Sequence, residues 1–222
     1  MAGSLKRGNP DLSEDVVLIK AMRDSNVPKF LDEDLPLFHA ILKDLFPGVK
    51  VPYDSYGELE EAIRQVIREN GYQESEGFLK KVIQLFETQN VRFGVSMVGP
   101  TGGGKTTCYQ ILSKAMTALA LNGHRGDAYD EVTLSVLNPK SVTMGELYGE
   151  FNAMSQEWCD GLASTILRNY AADTSSERKW TIFDGPIDAL WIENMNTVLD
   201  DNMTLCLANG ERIKLRRTMK CI

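Results

Sequence analysis

The sequence predicts an α/β fold: a parallel sheet flanked by helices, preceded by an all-helical part. Three observations predict it. A glycine-rich stretch at residues 99–106 follows a short apolar run and opens a helical pattern. Further runs rich in strand formers, at 132–137 and 180–184, come later with helical patterns between them. Before Val91 the apolar residues recur only at helical spacing. The pattern changes at Val91, which divides the chain into a helical part, 1–90, and a strand-and-helix part, 91–222.

Residues 1 to about 12 contain Gly, Lys and Pro and read as loose. Ser13 caps a helix carrying Val16, Val17, Ile19, Lys20 and Arg23, with Glu14 and Asp15 in its first turn, and Pro28 stops it. Asp34 caps the next helix, Pro36 is tolerated in its first turn, and Leu37, Phe38, Ile41, Leu42 and Leu45 form its apolar face. Phe46-Pro47-Gly48 ends it. His39, on this helix, reads as a packing residue. Ser55 and Glu58 have capping-box form before a helix with Leu59, Ala62, Ile63, Val66 and Ile67 on one stripe, closed by Asn70-Gly71. Phe78, Leu79, Val82, Ile83, Leu85 and Phe86 make a fourth amphipathic helix.

The run 93–98 reads as a strand entering the glycine-rich loop, and Cys108, Ile111, Leu112, Ala115, Met116 and Leu119 as the helix leaving it, ended by Asn122-Gly123. Residues 144–160 mix glycines, aromatics and acids and give no firm element. Residues 162–170 suit a short helix, and Ala189 to Leu199 another that begins near Pro186. Asn209-Gly210 between two β-capable runs favours a hairpin with a type I′ turn, either projecting or lying as a plain sheet edge.

Gly99-Pro100-Thr101-Gly102-Gly103-Gly104-Lys105-Thr106 fits G-x-x-x-x-G-K-[ST]. The glycines let the backbone fold tightly so that several N–H groups face one phosphate chain. Lys105 reaches the β/γ-phosphates, the Thr106 hydroxyl holds Mg²⁺, and the helix start adds its positive end. Residues 99–106, with Thr107 next in line, form the candidate ATP or ADP site. The strand 180–184 ends in Asp184, which reads as a second magnesium group on a strand beside the loop strand. The next residue is Gly185, which has no group to orient a water where many ATPases carry Glu. Asp188 and Glu193 are near in sequence but carried off by the helix. Binding reads as intact and hydrolysis as impaired, unless another residue replaces the missing Glu.

Composition narrows the remaining classes. With 31 acidic against 24 basic residues and a net charge of −7, the surface is wrong for nucleic acid as the main partner. No apolar run approaches a membrane span, and no signal-peptide pattern opens the chain. Cys108, Cys159, Cys206 and Cys221 are scattered without a C-x-x-C pair and read as reduced thiols of an intracellular, cytoplasmic protein. His39 and His124 are too few and too far apart for a metal site.

Several strings taken together resemble dynein heavy chains of the axonemal, inner-arm type: residues 99–106, Leu137-Asn138-Pro139-Lys140, Glu146-Leu147-Tyr148-Gly149, Phe183-Asp184-Gly185-Pro186, the run from Trp191 to Asn202, and Leu207-Ala208-Asn209-Gly210-Glu211-Arg212-Ile213. They resemble the second AAA+ module of the motor ring. Val27-Pro28-Lys29-Phe30 and Asp44-Leu45-Phe46-Pro47-Gly48 resemble the helical lid of the first. The resemblance implies an AAA+ P-loop sheet in residues 91–222, truncated, after a lid-like subdomain with connecting helices in 1–90, where Arg23 would face the first module's nucleotide.

It also implies ATP bound with Mg²⁺ and without appreciable turnover. The implied partners are the other ring modules, intermediate and light chains, and microtubules; the implied location is the cytoskeleton of the ciliary axoneme. The hairpin at Asn209-Gly210 and the segment from Tyr148 to Trp158 would face the linker element. Against the family pattern, residues 216–222 do not look like its continuation, and the further strands, sensor residue, arginine finger and second lid are not found in this sequence. The alternatives are an active ATPase contributing to microtubule-based movement and a truncated, non-functional dynein-like interaction fragment. A small-molecule kinase would need an acceptor site, for which the sequence offers no feature.

Overall fold

A computed structural model of the chain describes residues 2–8, 10–31, 33–49, 56–124, 129–200 and 202–222. Five helices come first: α1 (Ala2–Gly8), α2 (Glu14–Asn26), α3 (Leu35–Leu45), α4 (Gly57–Glu69) and α5 (Glu76–Val91). The Ser13 side chain accepts from the Val16 amide and starts α2 as anticipated. The first residues are helical rather than loose, and Lys6 Nζ ties α1 to the carbonyls of Pro10 and Leu12. Asp34 stands at the start of α3 but makes no capping bond, because its own backbone is already helical at φ −86°, ψ −20°. The apolar stripe of α3 is mostly open to solvent: Leu42 is buried, while Leu37, Ile41 and Leu45 are exposed, as is His39, whose ring lies 5.9 Å from that of Phe38. The Ser55 half of the anticipated capping box lies outside the described residues.

The apolar stripes of α4 and α5 are buried as anticipated, against α6 (Lys105–Leu121). Leu59, Ile63, Leu79, Val82 and Phe86 share one core with Ile111, Leu112 and Met116 of α6. The sheet lies beneath. Its strands are β1 (Val132–Leu137), β4 (Arg178–Phe183) and β7 (Met219–Cys221), all parallel, in the order β1-β4-β7. Side chains alternate across β4: Trp180 and Ile182 enter the core under α4 to α6, and Phe183 packs on the opposite side. That second core is covered by α7 (Met144–Tyr148), α8 (Leu162–Ala172), α9 (Ala189–Glu193), α10 (Asn196–Leu199) and a hairpin of β5 (Thr204–Cys206) with β6 (Arg212–Lys214). Helices on both faces of a parallel sheet confirm the predicted α/β class.

Four expectations are corrected. Residues 93–98 do not form a regular strand: they pair with β7 only through the bridge Gly94↔Cys221, because β7 is three residues long. The tail 216–222 is not foreign to the sheet, since it supplies β7, the strand between β4 and the loop segment. The single helix read from Ala189 to Leu199 is broken into α9 and α10, and it starts at Asp188, whose side chain accepts from Leu190 N, rather than at Pro186. The Asn209-Gly210 turn is not type I′: Leu207 pairs with Glu211, Gly210 N donates to the Leu207 carbonyl, and only Gly210 is left-handed, at φ +87°. This is the three-residue loop of a type I turn followed by a left-handed glycine. The hairpin does not project freely, because Leu205, Leu207, Ile213 and Leu215 are buried.

The unassigned stretch 144–160 holds α7 and a second hairpin, β2 (Gly149–Phe151) with β3 (Trp158–Asp160). Arg168 of α8 joins the two hairpins, donating two bonds of 2.9 Å to Asp160 and bonds of 2.9 and 2.7 Å to Glu211.

Candidate functional site

The loop at 99–106 has the geometry its glycines permit. Gly102 and Gly104 both sit at φ +79°, a region that disfavours any side chain, and Gly103 N closes a turn onto the Pro100 carbonyl at 3.1 Å. The helix α6 starts at Lys105, so its unpaired N–H groups and positive end lie at the loop. Lys105 Nζ donates to the carbonyls of Gly99 and Pro100, each at 2.8 Å, which holds the ammonium across the loop. Thr106 is exposed, and Thr107, the third residue of the helix, is half-buried.

A cleft runs from Lys105 and Thr106 along the ends of the strands. Lys105, Thr106 and Asp184 all line it, so the fold brings the two predicted constellations together. Asp184 follows β4, with its amide donating to Leu137 O at 2.8 Å. Its strand is not next to the loop segment, because β7 lies between them. Asp184 bears the one carboxylate side chain among the described residues lining the cleft. Asp188 caps α9 and pairs with Lys140, and Glu193 is exposed and outside the lining of the cleft.

Gly185 lines the cleft too, and it is closed from behind. A β-carbon there would lie 2.7 Å from Asn138 Oδ1 and 3.2 Å from Pro139 Cδ. The turn after it is held by Trp191, whose ring stacks on Phe183 at 5.4 Å and whose Nε1 donates to the Pro186 carbonyl at 3.1 Å. Trp191 O in turn accepts from the Tyr148 hydroxyl at 2.7 Å.

Sequence reasoning missed one residue of the cleft, Tyr109. It is buried on α6, lines the cleft, and has its hydroxyl pKa raised by burial first and by the charge of Asp184 second. The readable signal was its position three residues after Thr106, on the same helix face.

The family model described as "AAA domain (dynein-related subfamily)" matches residues 94–222. The chain belongs to that family. A second model, described as "Hydrolytic ATP binding site of dynein motor region", matches residues 1–106. Among curated relatives, this dynein-related AAA chain is 58% identical over 215 residues to dynein axonemal heavy chain 6 of Homo sapiens. It is 53% identical over 219 residues to dynein axonemal heavy chain 1 of Homo sapiens, and 45% identical over 223 residues to dynein axonemal heavy chain 3 of Mus musculus. These matches cover 97%, 98% and 100% of the chain but 5% of each relative. The resemblance read from the motif strings is thereby confirmed. It extends through the tail, since the last of these alignments covers the whole chain. Among the described residues no helix is long and apolar enough to cross a membrane.

Proposed function

We propose that this chain is a nucleotide-binding AAA+ module of an axonemal, dynein-type microtubule motor, and that it holds Mg-ATP with little or no hydrolysis. The observation that carries the reading is one cleft in which Lys105, Thr106 and Asp184 meet while the adjoining position is a glycine backed by Asn138. Residues 99–107 are the nucleotide cradle, with Lys105 neutralising the β/γ-phosphates. The Thr106 hydroxyl and the Asp184 carboxylate are hard oxygen donors on one cleft, which fits a magnesium ion that keeps most of its waters and takes phosphate oxygens as well. When bound, the ion neutralises phosphate charge.

Gly185 offers no base for a water, and apart from Asp184 the described lining holds no carboxylate side chain. By analogy with the heavy chains it matches, the module works beside other ring modules in a microtubule motor of the axonemal cytoskeleton. Intermediate and light chains belong to the same proposed setting.

The test is calorimetric titration of the nucleotide-free chain with Mg-ATP, followed by a phosphate-release assay on the same sample. The proposal expects micromolar or tighter binding, lost in Lys105→Ala, with no phosphate released. Turnover that disappears in Lys105→Ala would establish an active ATPase instead. No binding by folded protein would leave an interaction fragment.

A further inference from the structure

We propose that Trp191 is a positioning residue for the magnesium-binding carboxylate: its indole grips both flanks of the turn that carries Asp184 and fixes the backbone from which that side chain serves the cleft. The inference rests on the reading that Thr106 and Asp184 hold the cation.

Asp184 stands at the apex of a tight turn. Its own amide is tied to the Leu137 carbonyl, and the Gly185 amide donates back to the Phe183 carbonyl at 3.0 Å, a three-residue closure of the kind that ends strands. Trp191 reaches both flanks of this turn. Its ring stacks on Phe183, with centroids 5.4 Å apart and planes 16° from parallel, and its Nε1 donates to the Pro186 carbonyl at 3.1 Å. One side chain thus joins the residue before Asp184 to the carbonyl two residues after it. Gly185 carries no side chain that could brace the same turn. Phe183, Asp184 and Trp191 all line the cleft.

The indole is itself held. Trp191 is buried in the second core, and its carbonyl accepts from the hydroxyl of the buried Tyr148 on α7 at 2.7 Å. The helix that carries it, α9, is capped by Asp188. A buried indole N–H usually finds a partner, but this fold does not require one of every tryptophan. Trp180, buried under α4 to α6, has an Nε1 with no hydrogen-bond partner among the described residues. Packing alone therefore does not dictate the bond from Trp191 to Pro186. Trp191 acts in this scheme through the turn at Asp184, not on the metal or the phosphates.

The test is Trp191→Phe, which keeps a ring for the stack and removes the N–H, with ATP affinity measured twice: with magnesium, and in excess chelator. The readout is the ratio of the two affinities. Loss of one positioning hydrogen bond should lower that ratio by about three- to tenfold. Phe183→Leu removes the stack from the other side and should lower the same ratio, so the test stands even if Trp191→Phe does not fold. Asp184→Asn should lower the ratio on its own, and Trp191→Phe should then add less than about twofold, because the two act as one unit. An unchanged ratio, with both affinities weakened equally or not at all, would leave a packing role and overturn the inference. A full further loss in the Asp184→Asn background would overturn it too. If the wild type binds ATP equally well in both conditions, the magnesium reading itself fails, and this inference with it. If the wild type binds ATP in neither condition, the nucleotide-binding reading fails first, and this inference falls with it.

Discussion

The side-chain oxygen of Asn138 stands 2.7 Å from the point where a β-carbon on Gly185 would lie. Asn138 is not free to swing away, because the same oxygen accepts from the Lys140 amide at 2.9 Å and caps the turn after β1. Pro139, whose ring cannot rotate aside, closes the same space at 3.2 Å. The position after Asp184 thus has no room for a side chain unless Asn138 or Pro139 shifts.

Gly185→Glu should therefore not create an ATPase. The variant should lose about 1–3 kcal/mol of stability from overpacking and release no phosphate. Adding Asn138→Gly should return part of the lost stability. Urea denaturation of the single and double variants, with a phosphate-release assay on each, checks both halves.

Gly161 is a harsher case of the same geometry. A β-carbon there would lie 2.4 Å from the Gly149 amide nitrogen and 2.5 Å from the carbonyl carbons of Leu147 and Tyr148, all backbone atoms. Gly161→Ala should cost about 3 kcal/mol, since no side chain can move to relieve it. Thermal melting should show a lower midpoint, and hydrogen exchange should place the loosening at α7 and the β2–β3 hairpin.

Lys179 sets the acid limb of stability. Its ammonium is buried on β4 between Asp173 at 2.9 Å and Glu177 at 2.5 Å. The hydrogen bond from Lys179 first, and those from Ser175 next, hold the Asp173 carboxyl down to about 2. Lys179 holds Glu177 low as well. A carboxylate with a depressed folded pKa stabilises above its unfolded pKa and loses that contribution as pH falls through the folded value. Wild-type stability should therefore drop from about pH 4 toward pH 2. Lys179→Met should drop less over the same interval, as read by melting temperature against pH.

The four thiols should divide into two classes. Cys159 and Cys206 are exposed; Cys108 and Cys221 are buried, and burial pushes their thiols up to about 11 and about 12. A thiol-reactive chromophore should titrate two cysteines promptly in native protein and all four in denaturant. The buried pair should react at least about a hundredfold more slowly, because the thiolate is the reacting species.

How much of this was legible follows from range. The loop at 99–106 could be read because its chemistry needs fixed local spacing, and the stripes of α4 and α5 because 3.6-residue periodicity is local too. The strand β7 could not: Met219, Lys220 and Cys221 are three residues without a period, made a strand only by β4 and Gly94 beside them. Residues 144–160 were opaque for a related reason. Gly149 exists there to let Trp158 close over it, since a β-carbon at Gly149 would meet that ring at 2.3 Å, and neither residue shows this alone. For α3 the stripe was legible, but not that most of it is open to solvent. At the site, Lys105, Thr106 and Asp184 were legible as types. The places of Asn138 and Tyr109 were not, because they depend on what each side chain faces.

The position of β7 also bears on how the chain is made. Lys220 Nζ bonds the Arg92 carbonyl across 128 residues of sequence, next to the bridge that joins Gly94 to Cys221. During synthesis the segment leading into the loop at 99–106 leaves the ribosome long before the strand that anchors it. At about 5–20 residues per second, that interval lasts several seconds or more. Until then α4, α5 and α6 can pair locally, but the loop has no sheet to rest on. A nascent chain should therefore form α4, α5 and α6 before the pairing that steadies the loop at 99–106.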